Sequence, residues 1–134
     1  MTMRRDRRGV VSVEFAAAGA LMVVVSLGLI GAGVVSWTRS GLQAAASATA
    51  RCVALAAPAC AVPASYAAAI AGQWVFPGIV AASDVTVTQA TGCNGASGQY
   101  ARVMITGTHW LGSVLPLGLN NITLTVTACH LSAT

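Results

Sequence analysis

"FAAAGALMVVVSLGLIGAGVV", residues 15–35, is the stretch that decides how the rest of the chain is read. Only Ser26 in it is polar, and no charge occurs over residues 15–38. Wound as a helix, 21 residues rise about 31 Å at about 1.5 Å each, which matches the hydrocarbon thickness of a bilayer. The apolar core of a secretory signal peptide is shorter, about 7–15 residues. The stretch therefore predicts a membrane-spanning helix.

Its flanks predict the orientation. Arg4, Arg5, Arg7 and Arg8 precede it, and only Arg39, Arg51 and Arg102 come after it. Positive residues stay on the cytoplasmic side of a bacterial-type inner membrane. The C-terminal part is then expected outside, in the periplasm or beyond. The charge pattern also bears on partners. A net charge of +4 invites a nucleic-acid reading, but a phosphate-tracking groove needs several cations on one folded face. Three scattered arginines do not supply one, so no nucleic-acid partner is expected. Charged residues make up only 7% of the 134-residue chain, against about 25% in an ordinary soluble protein. That length leaves room for one small domain beside the apolar segment.

Glu14 is the anomaly at the segment's edge. An acid at the centre of a spanning helix costs about 2.5–3.5 kcal/mol and commonly marks function. Near an edge the carboxylate can also reach the headgroups. The surrounding "RRGVVSVEFAAAGALMVVV", residues 7–25, orders a basic tip, a glycine, a small or apolar run, Glu-Phe and a spanning helix. This pattern resembles the prepilin-peptidase segment of type IV pilins. It is most similar to the TadE-like minor pilins and pseudopilins of tight-adherence (Flp-type) pilus systems. The resemblance implies cleavage between Gly9 and Val10, with Glu14 as the fifth mature residue and Phe15 beside it. It also implies that Glu14 pairs with a neighbouring subunit's terminal amine. The implied partners are a prepilin peptidase, other pilin or pseudopilin subunits, the inner-membrane assembly platform and the membrane. "ATARCVAL", residues 48–55, is similar to the family's Ala-Arg element after the membrane helix. The major Flp-type pilin is much shorter, which disfavours a major subunit.

Gly28 and Ala32 make a small-xxx-small pair of the kind that admits close helix packing. Glycine and alanine are also simply common in membrane helices. "GLIGAG", residues 28–33, has the wrong glycine order and no preceding strand for a dinucleotide site.

Beyond the span the chain is alanine-rich. Leu42, Ala45, Ala46, Thr49, Val53 and Ala56 recur at near-helical spacing, and alanine is the best helix former. One helix over about residues 10–57 is expected, bent at Ser40-Gly41 and stopped by Pro58. Pro63 opens a second helix over residues 64–71, closed by Gly72. Trp74, Phe76 and Ile79 surround a Pro77-Gly78 turn, with both aromatics expected as core anchors. The period then changes to two. Strands are expected at residues 84–89, with Val85 and Val87 on one face, and at residues 99–109, with Val103 and Ile105 inward. A third, residues 122–129, places Ile122, Leu124, Val126 and Ala128 opposite Thr123, Thr125 and Thr127. The segments "TGCNGASG" (91–98) and "PLGLNN" (116–121) read as a loop and a turn. The expected fold is α+β: a long N-terminal transmembrane-to-periplasmic helix, a short second helix and a pilin-like antiparallel sheet of about three strands. The expected division is a leader over 1–9, a transmembrane and assembly helix over 10–36, and an exported domain over 37–134.

Cys52, Cys60, Cys93 and Cys129 all lie beyond the apolar segment, and an even count in a short exported domain favours disulfides. Large apolar residues are sparse beyond residue 40, and a thin core commonly needs covalent staples. Three pairings are open. Locality favours Cys52–Cys60, leaving Cys93–Cys129.

No catalytic site or cofactor is expected. Asp84 is the only acid beyond the apolar segment, so paired carboxylates are lacking. Cys93, Cys129 and His130 fit no zinc-ligand spacing. A triad built on His109 and Asp84 lacks a nucleophile elbow. The main reading is a minor pilin or pseudopilin, with an untrimmed single-pass anchored binding domain as the alternative. An exported enzyme or inhibitor with an unusual signal peptide, cleaved after Ala48 or Ala50, is a third.

Overall fold

The computed structural model describes residues 8–75, 78–109 and 122–132, with the side chains of residues 8–11 and 109 left aside. The chain divides into two compact units, Met1–Val34 and Val35–Thr134. Helix α1, Arg8–Ala54, contributes to both. The Pro77 turn, Phe76 and the 116–121 turn expected from sequence lie outside the described residues.

The described residues of the first unit are the early part of α1. Its apolar side chains face outward all round: Phe15 is 81% exposed, and Val13, Leu21, Met22, Leu29 and Ile30 are exposed as well. A helix apolar on every side is one built for an apolar surrounding.

The second unit builds a core on a single helical stripe. Thr38, Leu42, Ala45, Ala46, Thr49, Ala50 and Ala54 of α1 are buried, at the spacing of three and four that places side chains on one face. Ala67 and Ala71 of α2, Pro63–Trp74, join them. So do Val85, Val103, Ile105, Val126 and Ala128 from the sheet. The buried Thr49 hydroxyl donates to the Ala45 carbonyl at 2.8 Å, which satisfies a polar group that would otherwise be costly inside a core. Alanines on this stripe let backbones approach closely. Leu42 is, with Ile105, among the largest fully buried side chains of the described residues. Its Cδ1 lies 3.0 Å from where a Cβ at Gly107 would stand.

The sheet is antiparallel in the order β1-β2-β3, with β1 Val85–Cys93, β2 Ala96–His109 and β3 Ile122–Leu131. Val103 and Ile105 face the core, and Thr123 and Thr125 face solvent. All three strands are longer than expected. The 91–98 segment is not a loop. Cys93 pairs with Ala96 across a two-residue turn, in which Asn94 and Gly95 have φ of 50° and 84°. Positive φ at both central residues is the primed turn that matches strand twist.

Three other sequence expectations need correction. Helix α1 ends at Ala54, not Ala57, and Pro58 does not stop it. Instead the Ala57 N–H donates to the Cys52 carbonyl at 3.2 Å and the Ala56 N–H to that of Val53 at 3.0 Å. Ala56 has a φ of 50°, which completes a left-handed helix cap of the Schellman type. Gly72 does not close α2. It is exposed, a Cβ there would meet nothing within 4 Å, and the helix runs on to Trp74. Trp74 is not a core anchor, being 53% exposed, while Val75 and Ile79 take the buried positions. At Ser40-Gly41 the helix is uninterrupted. A Cβ at Gly41 would stand 2.9 Å from Val75 Cγ1 and 3.0 Å from Trp74 Cβ, so the glycine there admits the end of α2.

Candidate functional site

The residues singled out for processing and assembly sit at the start of α1. Gly9 and Val10 are helical, as the second and third residues of the element. Val10 and Glu14 are one turn apart, and i, i+4 positions share a helix face. Glu14 and Phe15 are both exposed. Glu14 is the only charge over residues 9–38.

The helix beyond Glu14 is suited to a bilayer by chemistry as well as length. A candidate span lies within Ser12–Ala54 of α1, and its most apolar window is 6% buried. Every backbone polar group in hydrocarbon must be satisfied internally, which a helix does. The one side-chain polar group in the apolar run is satisfied too, because Ser26 Oγ donates to the Met22 carbonyl at 2.8 Å. A Cβ at Gly19, Gly28 or Gly33 would meet nothing within 4 Å, so the small-residue face around Gly28 and Ala32 is open.

The four cysteines form two disulfides. Cys52–Cys60 has a Cα–Cα distance of 6.1 Å and ties the last turn of α1 to the 3-10 turn Pro58–Cys60. Cys93–Cys129 has a Cα–Cα distance of 6.4 Å. Bonded to each other, Cys93 and Cys129 offer no thiolate to a metal. Among the described residues no group of three or more His, Cys, Asp or Glu could hold one.

Asp84 Oδ2 accepts the Ala81 N–H at 2.9 Å, capping the 3-10 turn Ala82–Asp84. His130 Nδ1 lies 3.1 Å from the Leu131 carbonyl oxygen. The His109 side chain lies outside the described residues. A cleft of about 430 Å³ opens under the β1–β2 turn, between Asn94, Gly95, Arg102 and Thr127. Among the described residues Arg102 is the one ionisable side chain lining it, which offers no acid–base pair.

Sequence reading did not anticipate the contact between Trp37 and Trp74. The Trp37 indole N–H donates to the Trp74 carbonyl oxygen at 2.9 Å. The signal for it was a tryptophan two residues past the end of the apolar run.

A comparison with protein families matches residues 9–51 to the model described as TadE-like protein. The match covers about a third of the chain, from the candidate cleavage glycine to Arg51. No curated protein and no solved structure matches. A TadE-like segment supports a pilus-associated role with contacts to the membrane and to other pilus components, and the single N-terminal apolar helix fits a membrane anchor.

Proposed function

From the premise that residues 9–51 are TadE-like, we propose that the chain is a minor pilin or pseudopilin of a tight-adherence pilus. It enters the inner membrane with Arg4, Arg5, Arg7 and Arg8 in the cytoplasm. A prepilin peptidase cuts after Gly9, and the trimmed subunit joins other subunits on the assembly platform. Its role is structural, not enzymatic.

The observation that carries this reading is the isolation of Glu14. It is the only charge over residues 9–38, at the head of a stretch, residues 12–30, whose side chains are all exposed and nearly all apolar. Cleavage removes four positive charges that hold the leader inside and creates an ammonium on Val10. Glu14 of one subunit then pairs with that ammonium on the next. An unpaired carboxylate in an apolar surrounding is costly, while a paired one fixes register.

Intact-mass measurement in cells with and without the cognate prepilin peptidase tests the cleavage. The expected mature terminus is Val10, only when the peptidase is present. A chain that keeps Arg4 to Arg8 in both cells would instead be an anchored extracytoplasmic domain.

A further inference from the structure

Two tryptophans on different elements form one exposed ledge. Trp37 is 63% exposed and Trp74 53%. Trp37, Ser40, Gly41 and Ala44 share one stripe of α1, and with Trp74 they line a groove of about 210 Å³. Gly41 lets the end of α2 approach closely enough to bring Trp74 there. The Trp37 N–H satisfies a carbonyl of the last turn of α2, one of the groups a helix end leaves without an intrahelical partner. The pair is thus held in place, with its rings still uncovered.

We propose that the Trp37–Trp74 ledge rests in the headgroup layer of the outer leaflet and seats the exported domain on the lipid surface. The proposal depends on the membrane reading of the apolar helix. Three observations favour lipid over a protein partner. Trp37 stands two residues after Val35, the end of the apolar run, which is where a spanning helix emerges. Tryptophan concentrates at that depth because its ring is apolar at one end and polar at the other. Arg39, two residues further, is exposed and suits anionic headgroups. The ledge is also small. Two half-exposed indoles offer roughly 300 Å², well short of the roughly 800 Å² that each partner commonly buries in a stable protein complex.

The test uses the full chain in phosphatidylethanolamine–phosphatidylglycerol vesicles, with Trp110→Phe to remove the third indole. Lipids brominated near the top of the acyl chains should quench the indole emission. Adding Trp74→Phe should remove part of the quenched signal, leaving Trp37 in place. Diazirine lipids on the unsubstituted chain should label the peptide holding Trp74, which keeps the test independent of either substitution. The proposal is overturned if the chain floats with the vesicles while Trp74 is unlabelled and is quenched only by aqueous acrylamide. Protection of Trp74 from both quenchers that grows with protein concentration would assign the ledge to a second copy and also overturn it. Failure to float would remove the membrane reading itself, and the proposal with it.

Discussion

Cys93 and Cys129 sit in strands that do not pair with each other, yet their Cα atoms are 6.4 Å apart. Strands that flank a third in a flat sheet lie about 9.6 Å apart. The end of the β1–β2 hairpin must therefore fold over β2 toward β3. The register shift between Ala90 and Gly92 supplies a bend in β1, as a bulge does. In β2, Gly98 has a φ of 147°. Cys129 lies on the opposite side of β3 from buried Val126 and Ala128, so the bond crosses the solvent face of the sheet.

This bond closes the longer loop, with a sequence separation of 36 against 8 for Cys52–Cys60. Loop-closure entropy gives about 4 kcal/mol for the longer loop and about 2.5 kcal/mol for the shorter. The Cys93→Ser/Cys129→Ser chain should accordingly unfold at lower denaturant in detergent than the Cys52→Ser/Cys60→Ser chain. The reverse order would show that the shorter clamp governs stability.

Ala56 occupies a left-handed position usually held by glycine. A Cβ there costs about 1–2 kcal/mol, and glycine restores roughly 0.5–1 kcal/mol of that cost as chain entropy in the unfolded state. Ala56→Gly should raise stability by about 0.5–1 kcal/mol, seen as a higher denaturation midpoint at unchanged slope.

Gly41→Ala sets two effects against each other. Alanine gains about 1 kcal/mol of helix propensity. Its methyl would sit 2.9 Å from Val75 Cγ1 and 3.0 Å from Trp74 Cβ, and overpacking of this kind costs about 1–3 kcal/mol. Trp74 Cβ is fixed to the backbone and cannot swing away. The substitution should therefore lower the melting temperature, and a rise would show that the end of α2 moves freely.

For Glu14→Ala the expectation divides insertion from assembly. Removing a carboxylate from the edge of an apolar helix does not impair membrane insertion, so resistance to alkaline extraction should be unchanged. Recovery of the subunit in sheared pili should fall sharply. Incorporation at the level of the unsubstituted chain would refute the pairing role of Glu14.

Patterned segments were legible in the sequence, and features set by tertiary contact were not. The apolar run over residues 15–35 and the alternation around Val103, Ile105 and Val126 gave helix, strands and inward faces, because burial imposes those periods. The end of α1 was misplaced because Pro58 is the conspicuous breaker, whereas alanine at the capping position carries no signal. The close approach of Trp74 and Val75 to Gly41 is invisible along the chain. Asn94-Gly95 is a strong hairpin signal, but the small residues around it are poor strand formers and hid the strand ends. Trp74 read as core for its size, without regard to the smaller Val75 and Ile79 beside it. At the head of α1 the order of Gly9, Val10, Glu14 and Phe15 was legible throughout, since it is a property of the sequence itself.

The early part of α1, with Ser26 bonded to its own backbone, has a further consequence. Such a surface is nearly indifferent to whether acyl chains or other apolar helices surround it. Transfer from one to the other carries little free energy of its own, so greasiness sets no direction. Whether a helix stays or leaves is then decided by its few polar points, and on the pilin reading proposed above Glu14, the one acid in α1, would tip that balance.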